Sequence, residues 1–273
     1  MKKNILLLFA IVLAFNSCAP GEDTPTPEPT DPSEAVLLKK TITTKGSVVT
    51  TDIYSYNGKK IDKIVSSNGT NNNETKFTYT ADLITKIEVF SNDILKSKKE
   101  LTYQSDILKE IITYEYTDTE TTKKRTTYVK NGSEETYFYN IYRVNMSNNE
   151  ETIITDGVLE YFADELQNHV NTDYPIIAGR YNDTYAQYEY DVKKNPTINI
   201  IGNSKLLNNV LMGDGHNMSK KTFTYDVYEN GAWAAKTVVY RRTHTYDSLR
   251  FPIERKVLTK DGALDYTVQF FYE

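Results

Sequence analysis

Three histidines, a few acidic pairs and a dense set of tyrosines are the side chains whose types and spacing could do chemistry. His169 stands four residues after Glu165 and five after Asp164. Glu-x3-His on a helix can seat a metal ion. A solvent-facing pair near a helix C-terminus, where the dipole favours histidine, explains the same spacing and is preferred. His216 follows Gly213, Asp214 and Gly215, a loop that could hold a cation or substrate but that turn chemistry explains equally well. His244 alternates with Tyr246, as a sheet-surface residue does. The pairs Glu134/Glu135 and Glu150/Glu151 sit beside turns. Glycoside hydrolysis needs two carboxylates about 5–9 Å apart across a cleft, which spacing alone does not supply. No nucleophile elbow, Walker loop, dinucleotide loop or zinc-protease motif occurs. The expectation is a non-enzymatic protein with no catalytic residues, no metal and no cofactor.

Tyrosine is the compositional anomaly, with 22 copies against 10 Phe and 1 Trp. Tyr181, Tyr185, Tyr188 and Tyr190 crowd one stretch, and Trp233 follows an Asn-Gly turn. These five are the candidate ligand-binding residues, because flat aromatic rings can stack on sugars. Cross-strand packing, at about 0.2–1 kcal/mol per pair, is the commoner role for any one of them.

The N-terminus carries a different chemistry. Lys2 and Lys3 precede an apolar run over residues 5–15. That run is too short for a bilayer-spanning helix and has the form of a cleavable signal peptide. Cys18, the only cysteine, follows at once. A lone cysteine in an exported chain forms no internal disulfide, and its place suits acylation. Ala14 to Cys18 resembles the looser lipobox of Bacteroides-type bacteria: Ser17 fits, while Phe15 and Asn16 depart from the strict pattern. Pro20, Pro25, Pro27, Pro29 and Pro32 are interspersed with Glu22, Asp23, Glu28, Asp31 and Glu34. Such a stretch is an extended, self-repelling tether, reaching about 50 Å at about 3.1 Å per residue. Acids soon after the cysteine, here Glu22 and Asp23, resemble a surface-export signal of such lipoproteins. Three regions follow: signal peptide 1–17, lipidated cysteine and tether 18–35, and a single β domain 36–273. The formal net charge is −5 with no basic cluster, which argues against nucleic acid as a partner. The partners expected are a membrane, through the lipid, and a glycan or a protein.

The elements that must position any site are strands. Tyr56, Tyr79, Tyr103 and Tyr128 recur every 23 to 25 residues. Each of the first three stands two residues after Tyr54, Phe77 or Leu101, so both members of a pair share one strand face. A short polar turn follows, then Ile61, Leu83 or Ile107 opens an apolar segment. About 24 residues hold two strands and two turns, so each copy is a hairpin unit of an antiparallel meander. Asn-Gly or Asp-Gly at residues 68–69, 131–132, 230–231 and 261–262 agrees. Near the end, Leu264, Tyr266, Val268, Phe270 and Tyr272 share a face. Most strands alternate apolar with Thr, Lys and Glu, the pattern of a sheet wet on one side.

Two stretches suggest helices instead. Residues 156–171 place Leu159, Phe162, Ala163, Leu166 and Val170 at helical spacing. Residues 203–213 offer Ser204 as cap, Leu206, Leu207, Val210 and Leu211 as a stripe, and Gly213 as a stop. The expected fold is all-β: a large antiparallel meander closed or nearly closed into a barrel-like shell, with two short helices inserted mid-chain.

The signal peptide, Cys18, the acidic tether and the Tyr-x-Tyr repeats together resemble a Bacteroides-type lipoprotein family carrying a domain of unknown function with a porin-like fold. The resemblance spans residues 36–273; it implies a large antiparallel barrel and no activity. The tyrosine repeats also resemble the YD repeats of Rhs-type toxins, without their regular Gly-x-Leu core. Lys and Glu on many outer strand faces favour a soluble barrel with an apolar interior over a membrane channel. The function expected is a non-enzymatic lipid-anchored outer-membrane lipoprotein, at the cell surface or else on the periplasmic face, acting as a module that binds a glycan, an apolar ligand or a partner protein. The alternatives are an accessory subunit of an outer-membrane assembly or, more remotely, a hydrolase.

Overall fold

The computed structural model describes residues 36–132, 134–177, 180–207 and 215–273. The expected signal peptide and tether, with Cys18, lie outside the described residues. Sixteen strands follow in chain order: β1 Leu38–Lys45, β2 Val48–Asn57, β3 Lys60–Ser67, β4 Asn72–Thr80, β5 Leu83–Ser91, β6 Ile94–Gln104, β7 Ile107–Tyr116, β8 Thr121–Lys130, β9 Thr136–Val144, β10 Glu151–Phe162, β11 Glu165–Ile177, β12 Arg180–Lys194, β13 His216–Glu229, β14 Ala232–Tyr246, β15 Pro252–Leu258 and β16 Leu264–Tyr272. Each pairs antiparallel with its neighbours in sequence, and β1 pairs with β16, Thr41 opposite Phe270. The barrel is therefore closed and has no free edge.

Neither expected helix exists among the described residues. Residues 156–171 are the end of β10, a turn and the start of β11. Ala163 and Asp164 take φ of 50° and 65°, the geometry of a type I′ hairpin turn. Leu159 and Leu166 are fully buried while Phe162 is 74% exposed, so the helical spacing of the apolar residues was a coincidence of two strand faces. Of the second, Asn203–Lys205 forms one 3-10 turn, with Gly202 and not Ser204 at its N-cap. Val210, Leu211 and Gly213 lie outside the described residues.

The tyrosine repeat has a structural basis at one end of the barrel. In six strand pairs the returning strand carries one extra residue: Asp62, Thr85, Lys109, Gln167, Ser219 or Ile253. These β-bulges lie where the outgoing strand presents Tyr56, Tyr79, Tyr103, Tyr161, Tyr190 or Tyr246, opposite Ile61, Ile84, Leu108, Leu166, Met218 or Pro252. A bulge re-aims a side chain and raises local twist. The tyrosine hydroxyls reach sideways to the adjoining wall. Tyr56 donates to the Leu38 carbonyl (2.6 Å), Tyr103 to Ile84 (2.9 Å), Tyr190 to Leu166 (2.9 Å) and Tyr272 to Pro252 (2.7 Å). The result is a belt of inward tyrosines around this end. Leu38, Ile61, Ile84, Leu108, Leu159 and Leu166 are fully buried beside it, each worth about 1.5–3 kcal/mol on burial.

Candidate functional site

Sixteen strands enclose more room than one layer of side chains fills, so what occupies the lumen decides what the barrel can do. At the tyrosine end the chain fills it. Residues 195–207, between β12 and β13, leave the wall where Lys194 N–H donates to Arg250 O (3.1 Å). They cross to turns half a circumference away. Ile201 N–H donates to Lys59 O (3.0 Å), and Tyr79 Oη donates to Ile201 O (3.1 Å). Asn199 Nδ2 donates to Val36 O (2.8 Å). Gly202, at φ 81°, lies so close to Asp82 that a Cβ would come 2.7 Å from its carbonyl oxygen. Ile200, Leu206 and Leu207 join the core cluster beneath. Buried Asn195, Thr197 and Asn203 satisfy one another, Thr197 N and Oγ1 donating to Asn195 Oδ1 at 2.9 and 2.8 Å. This lid covers one mouth of the barrel. Outside it, a shallow cleft of about 280 Å3 brings together Asp82, Asp106 and Lys205.

The layer just inside the tyrosine belt changes character around the wall. On the returning strands the inward residue three beyond the bulge pair is Ile64, Ile87 and Ile111 in β3, β5 and β7. In β11, β13 and β15 the same position holds His169, Lys221 and Arg255. The outgoing strand β14 adds His244, opposite Arg255, with Arg242 and Tyr240 next along the same face. One wall is thus aliphatic and the other basic.

Burial shapes this basic wall. Desolvation, with the Arg242 charge, pushes the Arg255 guanidinium down to about 10. Its Nε is buried with no hydrogen-bond partner, and the guanidinium carbon lies 5.5 Å over the Phe270 ring. Lys221 is lowered by burial and by Arg242; its Nζ lies 5.3 Å over Tyr188 and 5.2 Å over Phe223. Burial, Arg255 and Arg242 hold His244 down at about 4, although Asp191 Oδ2 is 3.9 Å from its Nδ1. Burial, with Lys221, also holds His169 down at about 4, and the Tyr139 hydroxyl meets its Nε2 at 2.7 Å. Toward the far end on the opposite wall, inward Lys99 and Lys124 share Glu115, 3.9 Å from Lys124. Tyr240 faces inward, opposite Lys221, yet is 44% exposed, so water reaches the lumen from the end away from the lid. The expectation of an apolar interior thus holds only near the belt, where one wall is aliphatic.

The two histidines carry a pH prediction. Both are near 4 in the fold and near 6.5 when unfolded, so between those values the unfolded chain binds more protons and acid favours it. Stability is present above pH 6.5 and is lost as pH falls towards 4, by up to about 1.4 kcal/mol per pH unit for each histidine. Urea titrations from pH 7 to 4.5 should show this slope, reduced in His244→Gln. A flat profile would contradict the buried placement.

The side chains singled out in sequence are scattered. Tyr188 and Tyr190 face inward, Tyr188 in the basic wall and Tyr190 in the belt. Tyr185 faces out, donating to Asn168 Oδ1 at 3.0 Å. Trp233 pairs across the hairpin tip with Tyr228, ring centroids 5.4 Å apart. The side chain of Tyr181 lies outside the described residues. They form no common stacking platform. His169 and His244 sit inside the barrel, not on an exposed helix or sheet face. Glu165 contacts His216, across the lid end, and not His169. Among the described residues no group of three His, Cys, Asp or Glu could hold a metal. Glu135 pairs with Lys130 and Glu151 with Arg125. Sequence reasoning passed over Lys221, Arg242 and Arg255. Their signal was parity, since Lys221 alternates with Phe223 and Tyr225, and Arg242 with His244 and Tyr246.

The outer wall carries charge at mid-height. Lys63, Glu74 and Lys76 form one ion-pair row, Lys86 with Glu88 and Lys98 with Glu100 two more, and Arg125 reaches both Glu110 and Glu151. Outward aromatic rings are covered by cations: Lys40 over Phe271 (4.2 Å), Lys76 over Phe90 (4.7 Å) and Lys98 over Tyr114 (4.5 Å). Among the described residues no helix is long and apolar enough to cross a membrane.

No protein-family model matches the chain, and no curated protein matches it by sequence. Solved structures similar to this chain include two porin-like proteins. A porin-like protein from Bacteroides uniformis ATCC 8492 is 11% identical over 90% of this chain and 99% of its own, with a TM-score of 0.49. A porin-like protein from Bacteroides vulgatus ATCC 8482 is 14% identical over 88% of this chain and 99% of its own, with a TM-score of 0.57. At that identity the likeness concerns the fold: this chain is similar to a porin-like barrel, which meets the fold half of the resemblance drawn from its sequence, while the lipoprotein half rests on no match.

Proposed function

We propose that the protein is a non-enzymatic receptacle: a barrel hung from the outer membrane by acylated Cys18, taking a ligand through the mouth opposite the lid. The observation that carries this is a lumen covered at one end with polar and cationic side chains beyond. A conduit needs two openings; a binding cup needs one. The ion-paired outer wall supports attachment by lipid rather than immersion, because a bilayer-spanning barrel presents a continuous apolar band about 25 Å tall. The early acids Glu22 and Asp23 favour the cell surface over the periplasmic face. An accessory role in an outer-membrane assembly remains the second reading, supported by outward Ile53, Val49 and Phe138, each 48% exposed.

The test is to replace residues 1–18 by a leader that ordinary signal peptidase removes. The wild-type protein should sediment with outer membranes and the variant should appear in the soluble fraction. A variant that still sediments and resists carbonate extraction would show a barrel embedded in lipid and overturn the proposal.

A further inference from the structure

We propose that Lys221, Arg242 and Arg255 form an anion-binding site inside the barrel, which takes the carboxylate, phosphate or sulfate group of a ligand. The proposal rests on the receptacle reading and names the chemistry of its cargo. Its basis is an imbalance of charge. The three cations come from adjacent strands β13, β14 and β15 and face one lumen wall. Among the described residues no carboxylate forms an ion pair within 4.0 Å of any of them. The acids that face the region, Asp191, Asp52 and Asp173, are hydrogen-bonded to other groups, Asp173 accepting from Thr155 Oγ1 at 2.8 Å. Asp191 accepts from Tyr246 Oη and from the Lys193 amide (2.8 Å) and lies beside His244. Asp52 accepts from Thr41 Oγ1 (2.8 Å) and from Ser66. His169 and His244 are neutral at pH 7 and add no positive charge to this wall.

The same repeat positions on the opposite wall are isoleucines, so the barrel does not need cations there to close. Like charges in a partly desolvated wall repel, and an oxyanion between them converts that cost into binding. Guanidinium forks match carboxylate and phosphate oxygens bidentately, and the buried, unpartnered Arg255 Nε is one such donor. Phe270, Tyr188 and Phe223 flank the cations with ring faces, which suits an organic anion with an apolar body.

Calorimetric titration of the mature, full-length protein at low salt tests this, with inorganic phosphate, octanoate and neutral octanol as probes. Phosphate or octanoate should bind saturably at one site, and octanol should not. Arg255→Gln and Arg242→Gln should each weaken binding at least tenfold. Arg241→Gln, an exposed residue on the outer face, should leave it unchanged. Octanoate binding more tightly than phosphate identifies an organic carboxylate with its tail in the lumen, whereas equal affinities identify the bare oxyanion; either upholds the site. Ligand-free Arg255→Gln should melt no lower than wild type, because it removes an uncompensated charge. If it does not fold, Arg242→Gln carries the test. No saturable anion binding by wild type, or equal loss in Arg241→Gln, overturns the proposal. Anion-selective conductance across a bilayer that falls in Arg255→Gln would sink the receptacle and keep the site.

Discussion

Replacing Gly157 by alanine is expected to cost about 2–6 kcal/mol of folding stability. Gly157 lies mid-strand in β10, opposite Tyr139 on β9 and Asn171 on β11. A Cβ there would sit 2.2 Å from the Val170 carbonyl oxygen and 2.6 Å from Tyr139 Oη. The first contact forces β10 and β11 apart where their ladder is continuous. The second expels the tyrosine hydroxyl that meets His169 Nε2 at 2.7 Å, leaving a buried imidazole nitrogen unpaired. Overpacking costs about 1–3 kcal/mol and an orphaned buried acceptor about 1–3 more, against a typical total of about 5–15. Urea denaturation of Gly157→Ala measures it. In Tyr139→Phe/Gly157→Ala the side-chain clash is partly relieved and the strand clash persists, so only part of the loss should return. A Gly157→Ala protein within about 1 kcal/mol of wild type would show that the two strands can separate without penalty.

Ile200→Asp is expected to detach the lid while the barrel stays folded. Ile200 is 4% exposed and belongs to the core cluster. Losing its apolar contacts costs about 2–5 kcal/mol, and a buried carboxylate adds several more. Across the mouth the lid is held by Ile201 to Lys59 and Tyr79, Asn199 to Val36, and the apolar seats of Leu206 and Leu207. The barrel is held by sixteen strand-to-strand ladders that close on one another. Local opening is therefore the cheaper response. Limited proteolysis should cut within residues 195–207 in the variant and not in wild type, with β-sheet circular dichroism preserved. A single cooperative loss of sheet, with no separate lid cleavage, would mean that the lid is part of the barrel's folding unit. Because the cationic wall lies directly inside the lid end, the same variant should also admit anions from both mouths and release them faster.

Much of the architecture was legible in one dimension. The alternation of Leu264, Tyr266, Val268, Phe270 and Tyr272, the recurring tyrosines and the Gly-containing turns specify strands and hairpins, because side-chain period and turn backbone are local properties. The misread stretch at 156–171 held the right signal as well. Tyr161, Ala163, Asp164 and Leu166 repeat Tyr79, Ala81, Asp82 and Ile84 at the same spacing, and helical periodicity competed with that copy. What local chemistry leaves open is which face turns inward around a closed ring, and what meets across it. Closure of β1 on β16, the crossing of the lid to turns half a circumference away, and the convergence of Lys221, Arg242 and Arg255 all join residues distant in sequence. A lysine or arginine on a strand has the same local pattern whether it faces water or a lumen, so only the tertiary structure separates the ion pairs outside from the uncompensated cations within.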